Sequence, residues 1–99
     1  METSGNVAEK SKIKVKKPSL YKVIMHNDDY TTMEFVLSVL VNIFKKDVGE
    51  ANKIMMDVHK KGIGIAGIYT YDIAVTKVSR AMDLAKEEGF PFKLTIEKE

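Results

Sequence analysis

The run His26-Asn27-Asp28-Asp29-Tyr30-Thr31-Thr32-Met33-Glu34-Phe35 sets two adjacent carboxylates and an amide just before a helix start, with a methionine in its first turn. Farther on, Met55, Val58 and His59 fall at i, i+3 and i+4 and share one helical face. Oxygen acceptors at the mouth of an apolar pocket suit a guest that is cationic at one end and apolar at the other. The free N-terminus of another polypeptide is such a guest. Methionine adapts to differently shaped apolar partners, so a Met-lined pocket suits several large first residues. The pattern points to a recognition module for polypeptide N-termini.

Each of these residues also has a plainer use. Asn and Asp satisfy local backbone N–H groups, so Asn27-Asp28-Asp29 also reads as a strand-to-helix turn. Met33, Met55 and Val58 also read as core. A zinc site from His26, His59 and the carboxylates needs His26 to face the same way as Asn27. Neighbours on an extended segment point to opposite sides, which argues against it. A catalytic His59–Asp28 pair lacks a serine or cysteine in a recognisable motif and a second base with an orienting partner. The expectation is a protein that is no enzyme and uses no metal or cofactor.

The elements that position these residues follow from periodicity. Tyr21-Lys22-Val23-Ile24-Met25 is short and β-rich, a strand just after Pro18. Thr31-x-x-Glu34 reads as a capping box, and a helix follows to about Lys46. Its stripe Met33, Val36, Leu37, Leu40, Phe44 is backed by further apolar residues, which predicts a largely buried helix. Asp47-x-x-Glu50 opens a second helix, which stops at Lys60-Lys61-Gly62. Ile63 to Tyr69 alternates with glycines nearby, a second strand. Thr70 opens a third helix with Ala74, Val78, Ala81, Met82 and Ala85 on one face and Gly89 at its end. Phe92 to Glu97 alternates as the last strand. The order βααβαβ predicts an α+β domain: a three-stranded, mainly antiparallel sheet with three helices packed on one face.

Composition bounds the rest. A chain of 99 residues is one domain by size, burying only roughly 60–65% of its unfolded surface on folding. That leaves little room for a deep, walled active site. Cysteine is absent, which excludes disulfides and thiolate chemistry and fits a reducing compartment such as the cytoplasm. No apolar run reaches the roughly 18 residues of a membrane span. The net charge of +2 is unevenly spread: residues 1–17 hold five lysines against Glu2 and Glu9, a balance of +3, leaving −1 for the remainder. A nucleic-acid binder needs a basic stripe on its folded face. Here the positive charge lies in a stretch with little apolar content, read as a flexible arm at 1–17 ahead of a domain at 18–99. Within the arm, Lys12-Ile13-Lys14-Val15-Lys16 alternates and can add a strand on contact with a partner. Neither nucleic acid nor membrane is an expected partner, and a monomer is.

Tyr21-Lys22-Val23, Asn27-Asp28-Asp29-Tyr30-Thr31 and Met33-Glu34-Phe35-Val36 resemble the ClpS family, as do Val58-His59, the glycine-spaced Gly62–Tyr69 stretch and Thr76-Lys77-Val78. The resemblance covers residues 18–99. It implies an adaptor that binds N-degron substrates, passes them to a ClpA or ClpC unfoldase for ATP-dependent proteolysis, and modulates that unfoldase's substrate choice. Position by position, it implies α-amino-group contacts at Asn27, Asp28 and His59. It implies a side-chain pocket of Met25, Asp29, Thr31, Met33, Met55, Val58 and Phe92, with Met33 at the entrance. It implies contact with the unfoldase's N-terminal domain at Asp72 and Lys77, and Leu, Phe, Tyr and Trp as favoured first residues. Two departures stand out. Thr32 occupies a position where the family usually has proline, and the arm carries none of the motifs on which the resemblance rests.

Overall fold

The computed structural model describes residues 16–99, so residues 1–15 of the expected arm lie outside the described residues, and with them all of the Lys12–Lys16 alternation but Lys16. Six elements follow: β1 (Leu20–His26), α1 (Met33–Asn42), α2 (Val48–Lys61), β2 (Ile63–Thr70), α3 (Tyr71–Glu88) and β3 (Lys93–Lys98). The strands form one sheet in the order β2-β1-β3, with both pairings antiparallel. This is the βααβαβ architecture that the periodicity predicts. Among the described residues no helix is long and apolar enough to cross a membrane.

Period-two alternation makes β1 the centre of the sheet. Val23 and Met25 are fully buried on the helix-facing side. Lys22, Ile24 and His26 lie on the other face, where Lys22 meets Glu97 at 3.7 Å and His26 Nε2 lies 2.7 Å from Thr95 Oγ1. β2 carries one extra residue: Val23 pairs with Gly67 and Ile24 with Ile65, leaving Ala66 as a bulge. All three helices lie on the covered face. α3 contacts all three strands, α2 packs on β2, and α1 packs on α2. α3 sits close because its inward residues Ala74, Ala81 and Ala85 are small and buried. Met82, expected on that face, is exposed at its flank. Phe35 joins α1 to the chain before β3 through edge-on contacts with Phe90 at 5.1 Å and Phe92 at 5.5 Å.

Two helix boundaries differ from expectation. The cap of α1 is Thr32, whose hydroxyl accepts from the Phe35 N–H at 3.2 Å. Thr31 is not available for capping, since its hydroxyl donates to Asp28. α1 also ends at Asn42, well before Lys46. Ile43 and Phe44 turn into the core, Lys45 adopts φ 58°, and the Lys46 N–H returns to the Leu40 carbonyl at 3.0 Å. That is a left-handed helix stop without its usual glycine. A lysine there costs roughly 1–2 kcal/mol of backbone strain, whereas glycine adds about 0.4–1 kcal/mol of unfolded-state entropy. Lys45→Gly is therefore expected to raise stability by about 0.5–1 kcal/mol, read as a higher urea midpoint with unchanged slope.

Asp47 caps α2 as expected, accepting from the Glu50 N–H at 2.7 Å. Gly62, at φ 90°, ends it by donating its N–H to the Val58 carbonyl. That stop fixes where the last turn of α2, which carries His59, meets the end of β1.

Candidate functional site

β1 ends at His26, and Asn27 is the first residue beyond the sheet. Its N–H donates to the Gly62 carbonyl at 2.9 Å. The loop after β1 is thereby tied to the C-terminal stop of α2, one turn past Val58 and His59. Asp28 then organises the loop. One carboxylate oxygen accepts from the N–H groups of Tyr30 at 2.8 Å and Thr31 at 2.7 Å. The other accepts from the Thr31 hydroxyl at 2.7 Å. Burial alone pushes the Asp28 carboxyl upward, but the bonds from the Thr31 backbone, the Thr31 hydroxyl and the Tyr30 backbone outweigh it and hold the group below its ordinary value. Asp28 is thus an anion at neutral pH, and each of its oxygens carries two lone pairs, so acceptor capacity remains.

Loop, α1 and α2 enclose a cavity of about 270 Å³. Its polar side is Asn27, Asp28, Asp29, Thr31 and His59, and its apolar side is Met33, Val36, Met55 and Val58. The loop residues and His59 come from separate stretches of the chain, and the Asn27–Gly62 bond holds them together. Met33 is 48% exposed, as a residue at the mouth must be. Val58 is buried, as a wall residue must be. The arrangement offers fixed acceptors and one anion beside an apolar hollow.

Two residues expected in the pocket lie elsewhere. Met25 is fully buried beside Val23 in the core, and Phe92 is buried edge-on to Phe35. Neither lines the cavity, because strand alternation puts Met25 beneath the helices and Phe92 completes an aromatic cluster there. Val36 lines it instead. By sequence Val36 belongs to the buried stripe, and its place three residues after Met33 on the same helical face is the signal for a pocket position.

Asp72 and Lys77 lie on α3. Asp72 is exposed in its first turn. The Lys77 ammonium donates to the Ile43 carbonyl at 2.7 Å and sits 5.3 Å from the centroid of the Tyr69 ring. Lys77 therefore also closes the free carbonyl end of α1. Burial, then the charges of Lys45, Arg80 and Lys46, lower its pKa from the ordinary lysine value.

A larger trough of about 780 Å³ runs between α2 and the β2 edge. Its Asp57 carboxylate is shared by Lys53 at 3.4 Å and Lys61 at 3.6 Å. These charges already serve one another, and the trough lacks the fixed acceptor cluster of the smaller cavity. His26 faces away from that cavity, towards Thr95. Among the described residues no group of three or more His, Cys, Asp or Glu side chains is placed to hold a metal ion.

A cavity that sets fixed oxygen acceptors and one anion beside an apolar hollow describes a small binding module. The chain belongs to the ClpS family: the model for the ATP-dependent Clp protease adaptor protein ClpS matches residues 16–95. A Clp protease adapter ClpS of Clostridium acetobutylicum is 55% identical over 96 residues, covering 97% of this chain and 95% of that one. One from Rhodospirillum centenum is 50% identical over 96 residues, covering 97% and 89%. The solved structure of Agrobacterium tumefaciens ClpS2 bound to L-phenylalaninamide is similar in fold, with a TM-score of 0.79 and 43% identity over 84% of this chain and 100% of that chain.

Proposed function

We propose that this adaptor binds the free N-terminus of a polypeptide beginning with Leu, Phe, Tyr or Trp and delivers it to the N-terminal domain of a ClpA or ClpC unfoldase. The observation that carries the reading is the single cavity combining Asn27, ionised Asp28 and His59 with the apolar wall of Met33, Val36, Met55 and Val58. An ammonium has three donors and no acceptor. Asn27, Asp28 and a neutral nitrogen of His59 offer three acceptors. The first side chain enters the apolar hollow, where burying a Leu or Phe contributes roughly 1.5–3 kcal/mol. L-phenylalaninamide, the ligand of the Agrobacterium relative, carries a free α-amino group and an apolar benzyl side chain. No bond is made or broken on the guest. The reading is of a cytoplasmic monomer that changes which substrates the unfoldase takes.

Its test is a titration with peptides that differ only in the first residue. Leu, Phe, Tyr and Trp are expected to bind, and Ser or Glu to fail. Ile and Val should also fail, because Met33 at the mouth leaves no room for branching at Cβ. Met33→Ala should admit them while weakening Leu through lost contacts. Uniform affinity across the panel would refute the pocket assignment.

Delivery is a separate step, assigned to the basic stretch 1–17 together with Asp72 and Lys77. A chain lacking residues 1–17 should hold the same peptides equally well yet slow their degradation by a Clp protease. Loss of peptide binding on truncation would instead make the stretch part of the pocket.

A further inference from the structure

We propose that Gly64, which does not touch the pocket, sets its width and thereby its preference among large first residues; this rests on the reading above. Gly64 is buried in β2, opposite Met25 on the helix-facing side of the sheet. Its backbone does not need glycine: the left-handed glycines among the described residues are Gly62 and Gly89. What needs glycine is space. A Cβ at position 64 would stand 2.8 Å from Val58 Cγ2, 3.1 Å from the Ile54 carbonyl oxygen and 3.4 Å from Ile54 Cγ2. The first separation forces a neighbour to move, and the second is to helix backbone.

Val58 is the neighbour that matters. It presses on β2 at Gly64 from one side and forms pocket wall on the other. A helical valine has one strongly preferred rotamer, so it cannot swing freely out of the way. The missing side chain at 64 lets α2 seat closely on β2, which draws Val58 back from the cavity. Gly64→Ala would push Val58, and the turn carrying Met55 and His59, away from β2 and into the pocket. The narrowed hollow should penalise a Trp guest more than a Leu guest. A misfit of one methylene in an apolar pocket is worth about 10–200-fold, so the Trp-to-Leu affinity ratio should fall about tenfold or more.

The experiment titrates wild type, Gly64→Ala, Val58→Ala and the double variant with two peptides differing only in Leu or Trp at the first position, each also N-acetylated. Thermal unfolding is followed in parallel. Support is a lowered Trp-to-Leu ratio in Gly64→Ala, restored when Val58→Ala is added. An unchanged ratio in folded Gly64→Ala overturns the proposal, as does an equal loss for both peptides, which would place the effect at the amino-group contacts. If Gly64→Ala does not fold, the double variant decides, since a Cβ at 64 still presses on the Ile54 carbonyl of α2: folding rescued by Val58→Ala, with a Trp-to-Leu ratio below that of Val58→Ala alone, supports the proposal, and no rescue or an equal ratio overturns it. Wild type that binds acetylated and free peptides equally overturns the N-terminus reading itself, and the proposal with it.

Discussion

A peptide beginning with Leu or Phe should lose at least about 2–5 kcal/mol of binding when its N-terminus is acetylated, the range typical of truncating one partner of a buried, hydrogen-bonded charge pair. Since 1.4 kcal/mol is tenfold, even the low end is roughly 30-fold in Kd. Three effects add. The guest loses its positive charge beside Asp28, whose own charge is held in place by three hydrogen bonds. It keeps one N–H of its three donors, so acceptors among Asn27, Asp28 and His59 are left unpaired in the complex. The acetyl group also brings bulk where the loop is tied to α2 by the Asn27–Gly62 bond. The apolar wall is indifferent to acetylation, so the loss should be the same for Leu and Phe peptides. Calorimetric titration of free and acetylated pairs measures it directly. Equal affinity for the two forms would show that the apolar hollow binds alone.

How far the sequence carried depended on whether a feature was local. β1, β2 and the cap of α2 were legible because alternation and the Asp47–Glu50 spacing are local signals. The cap of α1 was not, since the Thr31–Glu34 spacing favours Thr31 although Thr32 is an equally good capping residue type. The Asp28 carboxylate recruits Thr31 and leaves Thr32 to cap. The end of α1 was hidden because Ile43 and Phe44 continue the apolar run while leaving the helix, and Lys45 takes the left-handed turn without glycine. The polar side of the pocket was readable because acidic and amide residues crowd one loop. Its apolar side was only partly so. Met25, Phe92 and Val36 are all apolar residues on suitable faces, and which of them meets the cavity depends on what packs above each one. Val36 meets it, whereas Met25 and Phe92 are sealed into the core. The second use of Lys77, at the carbonyl end of α1, joins positions 34 residues apart and leaves no local trace.

Replacing Asp28 should have the largest effect of any single substitution at the site. Asp28→Ala removes the acceptor of three hydrogen bonds, so the Tyr30 and Thr31 N–H groups and the Thr31 hydroxyl lose their partner and the loop its frame. It also removes the anion beside the guest ammonium, and peptide affinity should fall by about 2–5 kcal/mol. Asp28→Asn separates the two losses: its amide oxygen can still accept both N–H groups, but the charge is gone. It should keep more of the fold's stability than Asp28→Ala while losing much of the affinity. Acid titration checks the assignment independently. Burial pushes the Asp28 carboxyl upward, but the bonds from Thr31 and Tyr30 prevail and its folded-state pKa is lowered. A lowered carboxylate contributes stability that is fully present above its unfolded value, about 3.9, and is lost as pH falls through the lower folded value. The stability difference between wild type and Asp28→Asn should therefore be constant from neutral pH down to about 4–5 and shrink only below that. Urea unfolding of both proteins at a series of pH values measures it. A difference that already shrinks between neutral pH and about 5 would mean that the Asp28 carboxylate is not held by these bonds and does not supply the pocket's fixed charge.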